Sequence, residues 1–222
     1  MTQNAVAPRA DFVLPGQWWH VRLDTDESIR NAASALAFDV FGRSDERAAL
    51  RRGLVQSVTD GAAAARRVGG TDFYLALELA PGVRVPVSLT IAWPDEISVP
   101  DASEASARTL LASLPDRGDD DGAVELSTGW AVRTMRHEVS GPAESGIQER
   151  YTATHWILGT GIPTPLVMTM SVPVAELGDG LKALASAVAA SVTFEGRRTF
   201  VSVGADIDMP DPRGQQADEE AE

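Results

Sequence analysis

Three segments that alternate apolar and polar residues constrain this chain more than any other feature. They are "WAVRTMRHEV" (130–139), "IQERYTATHWIL" (147–158) and "PLVMTMSVPV" (165–174). A period of two is the pattern of a strand that buries one face. The Gly/Pro/Ser-rich connections at 140–146 and 159–165 are too short for the crossover that parallel strands need. The spacing therefore predicts a meander of antiparallel strands, and the rest of the chain must be compatible with such a sheet.

Upstream, "FVLPGQWWHVRL" (12–23) contains a strand after Pro15-Gly16, in which Trp19, Val21 and Leu23 alternate with Trp18, His20 and Arg22. Asp and Thr of "DTDES" cap a helix that carries Ile29, Ala33, Leu36 and Val40 and stops at Gly42. Ser44 caps a second helix with the stripe Leu50, Leu54, Val58, Ala62 and Ala65, ended by Gly69-Gly70. Residues 71–79 and 83–93 read as a hairpin with Phe73, Leu75, Leu77 and Leu79 on one face. Residues 103–114 read as a short helix capped by Ser103, and 115–122 as a solvated acidic turn. After the meander, 175–191 is a helix with Leu177, Leu181, Leu184 and Val188 in line, and 192–196 and 198–203 return to strand. The predicted order is β, two helices, ββ, α, βββ, α, β. This is an α+β fold, a mostly antiparallel sheet whose helices cover one face or both edges. The expected organisation is a flexible arm at 1–10, a single domain at 11–203 and a disordered acidic tail at 204–222, with no internal repeat.

Composition narrows the function classes. Of 222 residues 44% are hydrophobic, enough for a core, and the formal net charge is -13. From Ala205 to Glu222 the acids Asp206, Asp208, Asp211, Asp218, Glu219, Glu220 and Glu222 face Arg213 alone. That balance disfavours nucleic acid and anionic membrane surfaces. No apolar run approaches the roughly 20 residues of a membrane span. The N-terminal "MTQNAVAPRADF" lacks the basic and apolar regions of a signal peptide. Without cysteine there is no lipobox, disulfide framework or thiolate chemistry. A cytoplasmic protein is the default expectation.

Motifs of catalysis are scarce. His20, His137 and His155 show no HxH, HxxxH or HExxH spacing, so no metal site is expected. If strands 130–139 and 147–158 pair through the 140–146 turn, position 139 faces 147 and His137 faces Glu149, a cross-strand ion pair. "DRGDDDG" has the acids of a calcium loop in the wrong register. No GxSxG elbow and no phosphate-binding glycine pattern occurs; "GTGIP" reads as a strand connection. No cofactor is expected.

Apolar surface is the better candidate for function. The tryptophans are Trp18, Trp19, Trp93, Trp130 and Trp156. Adjacent side chains in a strand point to opposite faces. Trp19, in register with Val21 and Leu23, is expected to be the buried peg, leaving Trp18, beside His20 and Arg22, as a contact residue. Met168 and Met170 share a face and could line an adaptable groove, although core packing is the more ordinary role for them.

On these residues the chain resembles the Mog1/PsbP-like group of α/β proteins. "FVLPGQWWHVRL" is similar to that group's opening strand with its aromatic plug. "RTMRHEV…QERYTATHWIL…PLVMTMSVP" is similar to its antiparallel meander, and "ELGDGLKALASAVAASVTFE" to its closing helix and short strand. "ALAFDVFGRSDERAALRRGL" and "DFYLALELAPGVRVPVSLTIAWP", with the opening segment, look similar to an uncharacterised actinobacterial family. The double helix at 27–68 is longer than a minimal Mog1-like domain has. The resemblance implies a sandwich of sheet and helices, and a role as adaptor, chaperone or assembly factor. The function expected is therefore a non-enzymatic protein-binding module, attached to a secretion machine in one version, with Trp18, His20, Arg22, Met168 and Met170 at its contact surface. The alternatives are a small-ligand protein or hydrolase with an acid/histidine site around His137, Glu149 and His155, and a homodimer that covers its own apolar surface.

Overall fold

The computed structural model describes residues 9–78, 82, 85–140, 148–173 and 177–194. The tip of the predicted hairpin, the 141–147 connection, the 198–203 strand, most of the arm and the acidic tail lie outside these residues.

Two helices start at the expected caps, Thr25 and Ser103, whereas Ser44 precedes a 3-10 turn and makes no side-chain cap bond. Thr25 accepts the Ser28 N–H at 3.0 Å and starts α1 (Asp26–Phe41), which buries Ile29, Ala33, Leu36 and Ala37. Gly42 ends it at φ 67, a left-handed backbone that suits glycine, with its N–H on the Phe38 carbonyl. Arg51 donates to the carbonyls of Gly42 and Ser44 and so fixes the turn into the next helix. That helix begins as a 3-10 turn (Asp45–Arg47) and continues as α2 (Ala48–Arg67), burying Val58, Ala62 and Ala65. Leu50, assigned to its apolar stripe, sits in the first turn and is 56% exposed instead. Ser103 caps α3 (Glu104–Ser113) by accepting from the Ser106 N–H, and α4 is Gly178–Ala190.

Strands β2 (Trp19–Arg22), β3 (Gly70–Ala76), β4 (Val87–Ala92), β5 (Gly122–Leu126), β6 (Gly129–Ser140), β7 (Gln148–Ile157) and β8 (Leu166–Val172) form one antiparallel sheet in the order β2-β3-β4-β8-β7-β6-β5. The chain builds three neighbours, crosses by α3 to the far edge, then returns strand by strand until β8 meets β4. Strand β5 is additional to the predicted order. Its apolar residues were hidden in a stretch dominated by the acids of 119–121. A separate two-residue ribbon pairs β1 (Ala10–Asp11) with β9 (Thr193–Phe194), so the boundary expected at residue 10 falls inside β1.

Helices cover both faces, not one face or the edges. On the first face α4 and the stretch 12–18 pack over Leu89, Ile91, Met168, Met170, Ala153 and Ile157. On the second face α1 and α2 cover Val21 and Phe73 at one end, while α3 covers Val132 and Leu158 at the other. Between those two helix layers the second face presents hydroxyls from β4, β8, β7 and β6. One row runs Thr90, Thr169, Thr154, Thr134, and the next runs Ser88, Ser171, Thr152.

Candidate functional site

The first face holds an apolar cleft of about 210 Å³. Its floor is Val87 of β4 and Val172 of β8, one wall is Leu177, Leu181 and Leu184 of α4 and the residue before it, and Pro15 stands on the opposite side. These positions follow from periodicity. The inward residues of β4 and β8 are the odd and even members of their alternating runs, and Leu177, Leu181 and Leu184 recur at helical spacing. Gly180 lines the cleft where a larger residue would narrow it. Among the described residues the lining offers no charged side chain, hydroxyl or imidazole.

The "PGQWW" bend sets one wall. Trp18 is half-buried against the first-face core and donates its indole N–H to the Pro15 carbonyl at 2.7 Å. Trp19, also half-buried, packs on the other core with Val21 and Phe73. The tryptophans do leave opposite faces, but neither is the exposed one. The expected division into one peg and one free contact is replaced by two partly covered rings, because the first face has its own cover in residues 12–18. Trp18 acts on the cleft through Pro15.

The other predicted contact residues separate. His20 is exposed, stacked on Tyr74 at 4.6 Å, with Nε2 2.7 Å from an Asp72 oxygen. Tyr74 also takes the edge of Phe12 at 5.6 Å; burial, then the nearby Asp72 charge, push its hydroxyl above the ordinary tyrosine range. Arg22 is exposed and 3.3 Å from Asp24. Met168 and Met170 are 3% and 1% exposed, beneath α4 and the arm. As groove-lining residues they are a correction: the face they share is the one that α4 closes.

His137 and Glu149 do meet, at 3.5 Å, but diagonally. The register places His137 opposite Tyr151 and Val139 opposite Glu149, two residues from the predicted pairing. The contact survives because a shift of two keeps both side chains on one face. His137 stacks on Tyr151 at 4.3 Å, and Tyr151 lies so close to Gly178 that a Cβ there would sit 2.9 Å from the ring. His155 does not join them. It is 1% exposed under α4, opposite Arg133 and Met168. Burial, and then the Arg133 charge, lower its pKa to about 4, so the ring is neutral at physiological pH. The three residues of the acid/histidine alternative thus divide into an exposed pair and a buried ring, and none of them lines the cleft.

The 115–122 turn is also corrected. Asp121 has only 2% of its side chain exposed, accepts from the Gly118 and Met135 N–H groups and binds Arg136 at 2.8 Å. Burial alone would raise its pKa, but those donors and the guanidinium hold it below the ordinary carboxylate value. Asp120 pairs with Lys182 of α4, whose hydrogen bond and charge lower its pKa as well. A wider, more polar depression of about 520 Å³ runs along α3; of its two acids, Glu96 and Asp101, the second is engaged by Ser103 and Ser106 in the helix cap.

Among the described residues no helix is long and apolar enough to cross a membrane, and no group of three His, Cys, Asp or Glu side chains is placed to hold a metal. No protein-family profile matches the chain, and neither does any curated protein sequence. Among solved structures the chain is similar to LpqN of Mycobacterium tuberculosis, described as involved in cell envelope biogenesis. The identity is 11%, the TM-score 0.42, and the match covers 85% of this chain and 84% of that one. The architecture is that of an α+β sandwich, a seven-stranded antiparallel sheet between helices on both faces.

Proposed function

We propose that this chain is a non-enzymatic protein-binding module, an adaptor, chaperone or assembly factor of the cytoplasm. The observation that carries this reading is the cleft between Pro15 and α4: among the described residues its lining is apolar, with no convergent polar groups. Catalysis needs an acid, base, nucleophile or oxyanion donor aimed at a reacting atom, and the described residues of this lining supply none. It can remove an aliphatic side chain of a partner from water, worth about 1.5–3 kcal/mol for one Leu, Ile, Val or Met. Anchors of that kind in a desolvated pocket dominate binding energy at protein interfaces. The resemblance to the Mog1/PsbP-like group supports the same class of role.

The test is site-specific photo-crosslinking in the native host. A photoreactive residue at Leu184, on the cleft wall, should give a discrete adduct with another protein, and Leu181→Lys should abolish it. The same residue at Ala187, exposed on α4, should give none. Equal adduct patterns from both positions would refute the assignment.

A further inference from the structure

We propose that the C-terminal segment of this chain, residues 205–222, docks on the junction of α1 and α2 of its own molecule. That surface lies on the other face of the sheet from the apolar cleft. Phe38, in the last turn of α1, and Leu50, in the first turn of α2, are 49% and 56% exposed. The Arg51 guanidinium lies 5.2 Å from the centre of the Phe38 ring, and the same side chain donates to the carbonyls of Gly42 and Ser44. The two apolar residues thus flank a turn of fixed shape.

Single exposed apolar residues are common on protein surfaces, so this pair alone identifies no occupant. The charge around it does. Arg43, Arg47, Arg51 and Arg52 fall within ten residues, against Asp45 and Glu46 in the same stretch and Asp39 just before it. Asp45 and Glu46 stand in the first turn of the helix that starts here, where its dipole favours them. Arg43, Arg47 and Arg52 are exposed and form no ion pair among the described residues, whereas Arg22, Arg66, Arg108, Arg136 and Lys182 each face an acid. On a chain of net charge -13 the junction is a basic island. Its complement is an acidic segment with apolar residues interspersed.

The chain carries such a segment. Beyond Phe194, where the described residues end, "GADIDMPD" (204–211) sets Ile207 and Met209 among Asp206, Asp208 and Asp211. Asp218, Glu219, Glu220 and Glu222 follow, with Arg213 the one cation from residue 205 onward. Acids interleaved with apolar residues are the composition of an interaction segment, not of a core. The linker is long enough. Phe194 packs on Trp93, just past β4; there Ala92 of β4 pairs with Gly70, and Leu23, shortly before α1, bonds Thr71. The described chain therefore ends at the same end of the sheet as the start of α1. The junction lies one helix length further, about 24 Å for the 16 residues of α1. Residues 195–205 reach up to about 36 Å when extended. A tethered segment binds at millimolar effective concentration, so modest contacts suffice.

The experiment is paramagnetic NMR on the full chain, which has no cysteine of its own. Gln216→Cys carries a nitroxide, and the amides of isotope-labelled protein report what lies near it. The expected result is broadening concentrated on residues 38–52, largely lost at about 1 M salt, where the Debye length falls to about 3 Å. Arg43→Glu with Arg47→Glu and Arg52→Glu should abolish that broadening. Leu50→Asp, at an exposed position, should weaken it and serves alone should the triple variant fail to fold. Leu184→Lys on the opposite face should leave it unchanged. A mixture of nitroxide-bearing chains with isotope-labelled chains that lack the nitroxide should show none of it. Broadening confined to residues next to Phe194, or spread evenly over the surface, would overturn the proposal. So would full broadening in that mixture, or undiminished broadening in the junction variants. None of these results bears on the crosslink from Leu184, which tests the cleft separately.

Discussion

His155 makes the stability of this fold sensitive to mild acid. The ring lies at 1% exposure between β6 and β8, under α4, with Arg133 opposite. In the unfolded chain an imidazole takes its proton near pH 6.5. In the folded chain it resists protonation down to about pH 4, first because charging it would desolvate a cation, then because Arg133 already carries positive charge. Between those values the unfolded state binds the extra proton, so stability is fully present above about pH 6.5 and is lost as pH falls toward about 4. At 1.36 kcal/mol per unit the full gap is worth at most about 3 kcal/mol. The assay is urea unfolding of the wild type and His155→Gln from about pH 7 to about pH 4.5. The wild type should lose roughly 2–3 kcal/mol more than the variant over that range. His20 and His137 are common to both proteins, so their contributions cancel in the difference. His155→Met is a second reference should the glutamine destabilise the core. If the difference between wild type and variant stays within about 0.5 kcal/mol, the ring is not held neutral by burial and the reasoning fails.

Two further substitutions probe the frame of the cleft. Trp18→Ala and Trp19→Ala should each cost about 2–4 kcal/mol in denaturant unfolding, since both rings are half-buried. Only Trp18→Ala, which frees Pro15, should also reduce crosslinking from Leu184. Asp121→Asn should cost about 2–3 kcal/mol, measured in the same way, because it removes the charge that Arg136 faces and weakens the acceptor of two backbone N–H groups. A loss below about 0.5 kcal/mol would mean that the turn is as solvated as its composition suggests.

The parts of this fold that the sequence revealed are those specified by neighbours along the chain. Thr25 and Ser103 cap helices through contacts three residues away, and the meander strands announce themselves by alternation and short connections. What was hidden depends on distant partners. Asp121 looks solvated in "DRGDDDG" because two of its three partners, Met135 and Arg136, arrive from β6, fourteen and fifteen residues later. The His137–Glu149 contact was foreseen with a register two residues out, since turn length rather than side-chain pattern sets register within one face. Met168 and Met170 read equally well as groove or core, because alternation cannot say which face a helix will close. The cleft has no local signature: Val87, Val172 and Leu181 belong to three separate elements and Pro15 to the stretch between β1 and β2.

The β4–β8 ladder is the only ladder of the described sheet in which a strand preceding α3 pairs with a strand following it. The sheet is thus a joint between two chain segments, one ending at β4 and one beginning with α3. Each has an antiparallel ladder and a helix cover of its own. Cutting the backbone between β4 and α3 would leave two fragments with complementary edges, which suits this architecture to reconstitution from separately expressed halves. Reassembly would restore the cleft at the same moment, because Val87 and Val172 come from opposite sides of that joint.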